Sequence, residues 1–335
     1  AHTNVRFWAG LVPENAADHV TLRALLNAGA AGFKCFMTPS GIADFENVAG
    51  KDIAAALPFL KAAGVPLYVH AELVSEVEVQ GDPTHYATYM NSRPPKFEQD
   101  AIRLLIELLD ADETVAAPGF SLHIAHLSDA GCLPMLKAAR ERHPITVETV
   151  SAYLMFNSGQ VEAGQTWFKC APPIRGSANQ EALIQAVLTE QIDLVGSDHS
   201  PAPPDMKHLD TGDFLKAWGG INGLQYLLPA TWSALHAYGV GLPMLTQLLS
   251  TRPAQLAGLG HRKGKLAEGF DADFTVWEPE ELADTSVEFN EHRHKISPFT
   301  NTTMKGKVIA TIVQGQFVNL FGKLSPLPCG GPVTA

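Results

Sequence analysis

Short apolar runs rich in β-branched and aromatic residues alternate with longer amphipathic stretches along the first two thirds of the chain, and this alternation constrains the fold most. The β-type runs are Val5–Leu11, the segment ending near Met37, Val65–Glu72, Phe120–Ser128, Pro144–Val150 and Ile192–Asp198. Between them lie "ADHVTLRALLNAG", "KDIAAALPFLKAAG", "EQDAIRLLIELLDAD" and "NQEALIQAVLTEQ", with apolar residues at helical spacing. Strand–helix alternation of this kind predicts βα units on a parallel sheet. Six such runs are counted where a closed (β/α)8 barrel has eight. An incomplete barrel is expected, and its open strand edges favour self-association.

After residue 260 the pattern changes. "GKLAEGFDADFTVWEP" and "KVIATIVQGQFVNLFGKL" alternate apolar residues with Gly and Asp turns. They predict a small antiparallel β module at the C-terminus, giving a division into 1–260 and 261–335.

With 335 residues and 46% apolar composition the chain can bury a large core. The net charge of −11 opposes nucleic acid or an anionic membrane as the main partner. No apolar run approaches a membrane span. The four cysteines Cys35, Cys132, Cys170 and Cys329 are scattered, which predicts free thiols. With no signal-peptide pattern at the N-terminus, a cytoplasmic location is expected.

In βα barrels chemistry gathers at the C-terminal ends of the strands. Four of the runs end in a group able to hold metal: Lys34, His70, His126 and Asp198. A lysine is rarely buried unpaired. As a carbamate formed with CO2, Lys34 would offer two oxygens in place of an ammonium and bridge two cations. The ordinary alternatives are a lysine that snorkels to solvent, strand-end histidines that serve as structural hydrogen-bonders, and a turn-forming Asp198. In "SLHIAHLS" the odd spacing places His123 and His126 on opposite faces of a regular strand. That spacing sends His126 to the mouth and His123 against a helix. His199 is a neighbour of Asp198 and is not assigned as a ligand.

The motifs "GFKCFM", "LYVHAE", "HIAHLSDA" and "GSDHSP", in that order, resemble the amidohydrolase superfamily, in the cyclic-amide branch of hydantoinases, dihydroorotases and allantoinases. "FWAGLVPEN", "FKCAPPIRG" and "WGGINGLQ" resemble the allantoinases most, and Pro39 stands where hydantoinases carry a tyrosine. The resemblance implies a TIM-type barrel with a small β-sandwich. It implies a site of two divalent metals, Zn above Fe, Co or Mn, with Lys34 as N6-carboxylysine. His70 and His126 would bind one metal, and Asp198 would bind the other and act as general acid/base. Arg175 and Asn222 would contact substrate. The implied reaction opens the hydantoin ring of allantoin to allantoate in purine catabolism, and relatives often form homotetramers.

Two departures from the family pattern stand out. The H-x-H pair of the first barrel strand is absent, "AHTN" being no substitute. This predicts a chain missing its first two βα units, short of two ligands and of uncertain activity. "VETVSAYL" replaces the family's "ETCPHYL", putting Val150, Ser151 and Ala152 where Cys, Pro and His are usual. A hydantoinase or dihydropyrimidinase is the enzyme alternative. A non-catalytic homologue acting in assembly is the other, and retention of Lys34, His70, His126 and Asp198 argues against it.

Overall fold

The computed structural model describes residues 1–334. Six parallel strands form one sheet in the order of the sequence: β1 (Ala9–Gly10), β2 (Phe33–Phe36), β3 (Leu67–His70), β4 (Leu122–Ile124), β5 (Ile145–Val150) and β6 (Leu194–Gly196). The helices are α1 (His19–Asn27), α2 (Gly50–Ala63), α3 (Tyr86–Ser92), α4 (Lys96–Ala111), α5 (Leu133–Arg140), α6 (Ser151–Met155), α7 (Ser177–Leu188) and α8 (Leu227–His236), followed by short helical turns over 242–256. Every expected β run contains a strand, each shorter than its apolar run. The first shrinks most: Val5 makes only an isolated bridge, to Pro332, and just Ala9 and Gly10 join the sheet.

Period-two alternation sorts the strand side chains into two sets. The register row Phe33–Leu67–Leu122–Ile145 is buried and joins Ile53, Leu57 and Leu60 of α2 and Ile102 and Leu105 of α4 in one core cluster. The next row, Lys34–Tyr68–His123–Thr146, occupies the opposite face and is polar. A sheet that hides one row under helices and aims a polar row the other way has a core on one side and room for chemistry on the other.

The C-terminal module is a separate antiparallel sheet of β7 (Phe274–Leu282), β8 (Lys305–Val313), β9 (Gln316–Leu320) and β10 (Lys323–Leu324). Helix α8 fastens it to the rest of the chain. Trp232 Nε1 donates to Pro279 O at 2.8 Å, and the Lys305 amide donates to Ser233 Oγ at 2.8 Å. No helix among the described residues is long and apolar enough to cross a membrane. All four cysteines are free, three of them buried.

Candidate metal centre

Lys34 and His70 stand on β2 and β3, pointing to the polar face, while His126 and Asp198 lie just past β4 and β6. Both of the latter have left-handed backbone, φ +34° at His126 and +42° at Asp198. A non-glycine residue there is strained by roughly 1–3 kcal/mol, and such strain concentrates where a side chain must be aimed. The expected opposition of His123 and His126 therefore fails. β4 ends at Ile124, the chain turns, and His126 no longer keeps strand parity. His123 does not pack against a helix. Its ring lies 4.6 Å from that of Tyr68, Nδ1 is 2.8 Å from Thr146 Oγ1 and Nε2 is 3.5 Å from Glu148 Oε2.

Beneath the strand ends is a polar floor. Glu148 of β5 accepts from the Tyr68 hydroxyl and from the His126 amide at 3.3 Å. Burial pushes its carboxyl up, yet His123, Tyr68 and Lys34 together hold it below the usual carboxylate range. Gly196 of β6 gives it space, since a Cβ there would lie 3.2 Å from Glu148 Oε2.

Lys34 is the common neighbour of the other candidate ligands. Its Nζ sits 4.5 Å from the Tyr68 ring centre and 4.8 Å from that of Phe36. Loss of solvent pulls its pKa down to about 8 against the opposing attraction of Asp198, Cys35 and Glu148. Burial raises Asp198 to about 6, Lys34 opposing and Glu148 assisting the rise. His70 and His126 are buried, with ring centres 4.6 Å apart, edge to face. Burial lowers His126 well below the ordinary imidazole range, and the charges of His70 and Lys34 push the same way. Burial also lowers His70, although Glu72 pulls upward. Burial thus disfavours the protonated form of both rings, and the neutral imidazole is the form that binds metal.

Glu72, quoted in "LYVHAE" but given no role there, is the buried carboxylate beside His70. Its Oε2 is 2.8 Å from His70 Nε2, and Arg93 grips both carboxylate oxygens. Burial would raise this carboxyl, but the His70 hydrogen bond and the Arg93 charge outweigh burial and hold it at about 2. The signal was the His-x-Glu spacing at a strand end.

The donor chemistry fits a divalent metal in part. His70 and His126 are adjacent imidazoles, and His126 Nδ1 is buried without a protein partner. Among the described residues no three His, Cys, Asp or Glu side chains converge closely enough to enclose an ion. Lys34, acting electrostatically on His70, His126 and Asp198 alike, is the group whose chemistry would connect them.

Arg175 and Asn222, expected as substrate contacts, are both held by protein partners. The Arg175 guanidinium is buried, donates from Nη2 to Glu98 Oε2 at 2.7 Å and from Nη1 to the Arg93 carbonyl at 3.3 Å. A buried guanidinium demands a buried carboxylate, and Glu98 commits it. Both Asn222 amide hydrogens go to carbonyls, His294 O at 2.7 Å and Ile296 O at 2.8 Å, tying two loops together. From the same "WGGING" segment, Trp218 packs on Gly41 (φ +82°), where a Cβ would lie 2.8 Å from the indole. The loop after β6 thereby meets the loop after β2, four strands away in the sheet. Lys207 secures that loop, its buried ammonium donating to the carbonyls of Lys169 at 3.1 Å, Trp218 at 2.9 Å and Gly220.

The profile of the amidohydrolase family matches residues 1–318. The chain belongs to the amidohydrolase family. This amidohydrolase is 43% identical to a "probable allantoinase" of Oryza sativa subsp. japonica, over 100% of this chain and 68% of that protein. It is 43% identical to an allantoinase of Arabidopsis thaliana, over 98% of this chain and 67% of that one. The chain thus spans about two thirds of the length of these relatives. The L-hydantoinase (dihydropyrimidinase) of Arthrobacter aurescens superimposes with a TM-score of 0.89 at 27% identity, covering 99% of this chain and 74% of that one. The architecture is accordingly a TIM-barrel-like α/β fold with a C-terminal β module.

Proposed function

We propose that this amidohydrolase hydrolyses the hydantoin ring of allantoin to allantoate. The observation that carries the proposal is 43% identity to two curated allantoinases over essentially the whole chain. The placement of Lys34 and His70 on β2 and β3, and of His126 and Asp198 just past β4 and β6, supports it. The enzyme is a hydrolase of cyclic amide C–N bonds.

In the proposed site His70 and His126 would hold one divalent metal and Asp198 a second. Lys34, as the free amine, would add CO2 and lose a proton to become N6-carboxylysine, supplying anionic oxygens to the site. An ammonium at Lys34 would repel a cation beside His70 and His126; a carbamate reverses that sign. Zn is the favoured ion, with Fe, Co and Mn compatible with the same donors. Bound metal lowers the pKa of water and polarises the ring carbonyl. The chain's residues do the rest. Asp198 accepts the proton lost by the attacking water at its carboxylate and returns it to the departing ring nitrogen. We further propose that the six-stranded sheet is part of a (β/α)8 barrel, that the C-terminal sheet is part of a β-sandwich, that the division falls at 260/261, and that the whole protein forms a homotetramer.

The test is metal analysis of the full-length protein with assay of allantoate formation. Turnover of allantoin with divalent metal bound is expected. Metal binding with turnover of dihydrouracil and none of allantoin would move the assignment to the hydantoinase class.

A further inference from the structure

We propose that Glu72 and Arg93 are a positioning pair for the metal centre, fixing the tautomer and orientation of His70; this rests on reading the strand-end cluster as a metal site. Glu72 lies two residues beyond His70 and is fully buried. Its Oε2 approaches His70 Nε2 to 2.8 Å. With both of its oxygens held by Arg93 donors, Glu72 accepts from His70 at Oε2, so Nε2 carries the hydrogen and Nδ1 keeps its lone pair for a metal. Both Glu72 oxygens are already engaged: Arg93 Nε donates to Oε1 at 3.1 Å and Nη2 donates to Oε2. Glu72 therefore acts through His70 and is not itself a ligand.

Arg93 makes the arrangement tenable. A carboxylate with no exposed surface is costly unless paired and hydrogen-bonded. The two-point grip neutralises Glu72 and fixes its plane, which in turn fixes the imidazole edge. The His70 ring is confined on other sides by Phe36, centre to centre 5.1 Å, and His126 at 4.6 Å. Arg93 is braced in its turn, because its carbonyl accepts from the Arg175 guanidinium, and Arg175 is anchored on Glu98 of α4. A continuous polar chain thus runs from α4 to His70 Nε2, the ring nitrogen that is not offered to the metal.

The experiment measures metal affinity of the full-length protein by chelator competition, with Zn(II) and with Co(II), on wild type, Glu72→Gln and Arg93→Lys. Glu72→Gln keeps the side-chain shape and removes the charge. Arg93→Lys keeps the charge and loses the two-point grip. Loss of such an outer hydrogen bond typically weakens metal binding about 10–100-fold. We expect that loss for Glu72→Gln, a smaller one for Arg93→Lys, and a changed Co(II) visible absorption in both. Should Glu72→Gln not fold, weakened binding and a shifted Co(II) spectrum in Arg93→Lys still support the pair. Wild-type affinity and spectrum in the folded variants overturn the inference while leaving the metal site standing. A wild-type protein that takes up no metal overturns both.

Discussion

Replacing Arg175 by Met discriminates between a brace and a substrate contact. Arg175 and Glu98 side chains are 5% and 2% exposed, so removing the guanidinium strands a buried carboxylate. Breaking a buried pair from one side costs about 3–5 kcal/mol. Glu98 retains two backbone donors, the Ser128 amide at 2.9 Å and the Asp129 amide at 3.2 Å, which places the loss near about 3 kcal/mol. The pH dependence sharpens the test. Burial raises Glu98 from 4.5 to about 6, Arg175 working against the rise. The folded chain then holds more protons than the unfolded chain between those values, and stability falls as pH climbs from 4.5 to 6. At about 1.4 kcal/mol per pH unit this is about 2 kcal/mol, with no further change from this group above 6. Without Arg175 the folded value moves higher, so the decline continues past pH 6. The deficit of Arg175→Met relative to wild type is therefore smaller at pH 5 than at pH 8. Urea unfolding at both pH values, with unchanged m, reads it directly. A deficit below about 1 kcal/mol at pH 8, or one equal at the two pH values, refutes the brace.

Other outcomes follow from the same structure. Gly41→Val places a branched side chain at φ +82° against Trp218; it should cost about 1–3 kcal/mol and change the tryptophan emission. Lys207→Met removes three carbonyl contacts from the loop after β6, and hydrogen exchange at Trp218 and Gly220 should accelerate about tenfold or more. Ile102→Ala, at a fully buried position on α4, should lower stability by about 2–5 kcal/mol in chemical denaturation. Chelation should abolish allantoin hydrolysis by the full-length protein, and Zn, Co or Mn should restore it.

The strands and their order were legible because apolar runs of four to eight residues between helical periods leave few alternatives. His70, His126 and Asp198 were legible for the same reason, each at or just past the end of such a run, whereas Lys34 is the second residue of β2. What the sequence concealed depended on backbone turns and distant partners. His126 kept its expected direction only by leaving strand geometry, at φ +34°, and so His123 faces Glu148 on β5 instead of a helix. Arg175 lies two residues past a Pro-Pro pair, and nothing local in the sequence points to its partner Glu98, far back in the chain. Asn222 shows the same thing, its partners being carbonyls near residue 295. Glu72 was visible, but only Arg93 reveals why its charge is tolerated.

The strictly sequential sheet has a consequence for when the centre comes into being. Each strand pairs with the next one made, so the sheet can grow from one edge as the chain emerges, every step closing only a local loop. The candidate ligands are scattered along that growth, Lys34 arriving with the second strand and Asp198 just past the sixth. A nascent chain thus holds its lysine and then its first histidine long before the carboxylate appears. The proposed centre would then be complete only in a chain folded through β6, with the C-terminal module still to follow.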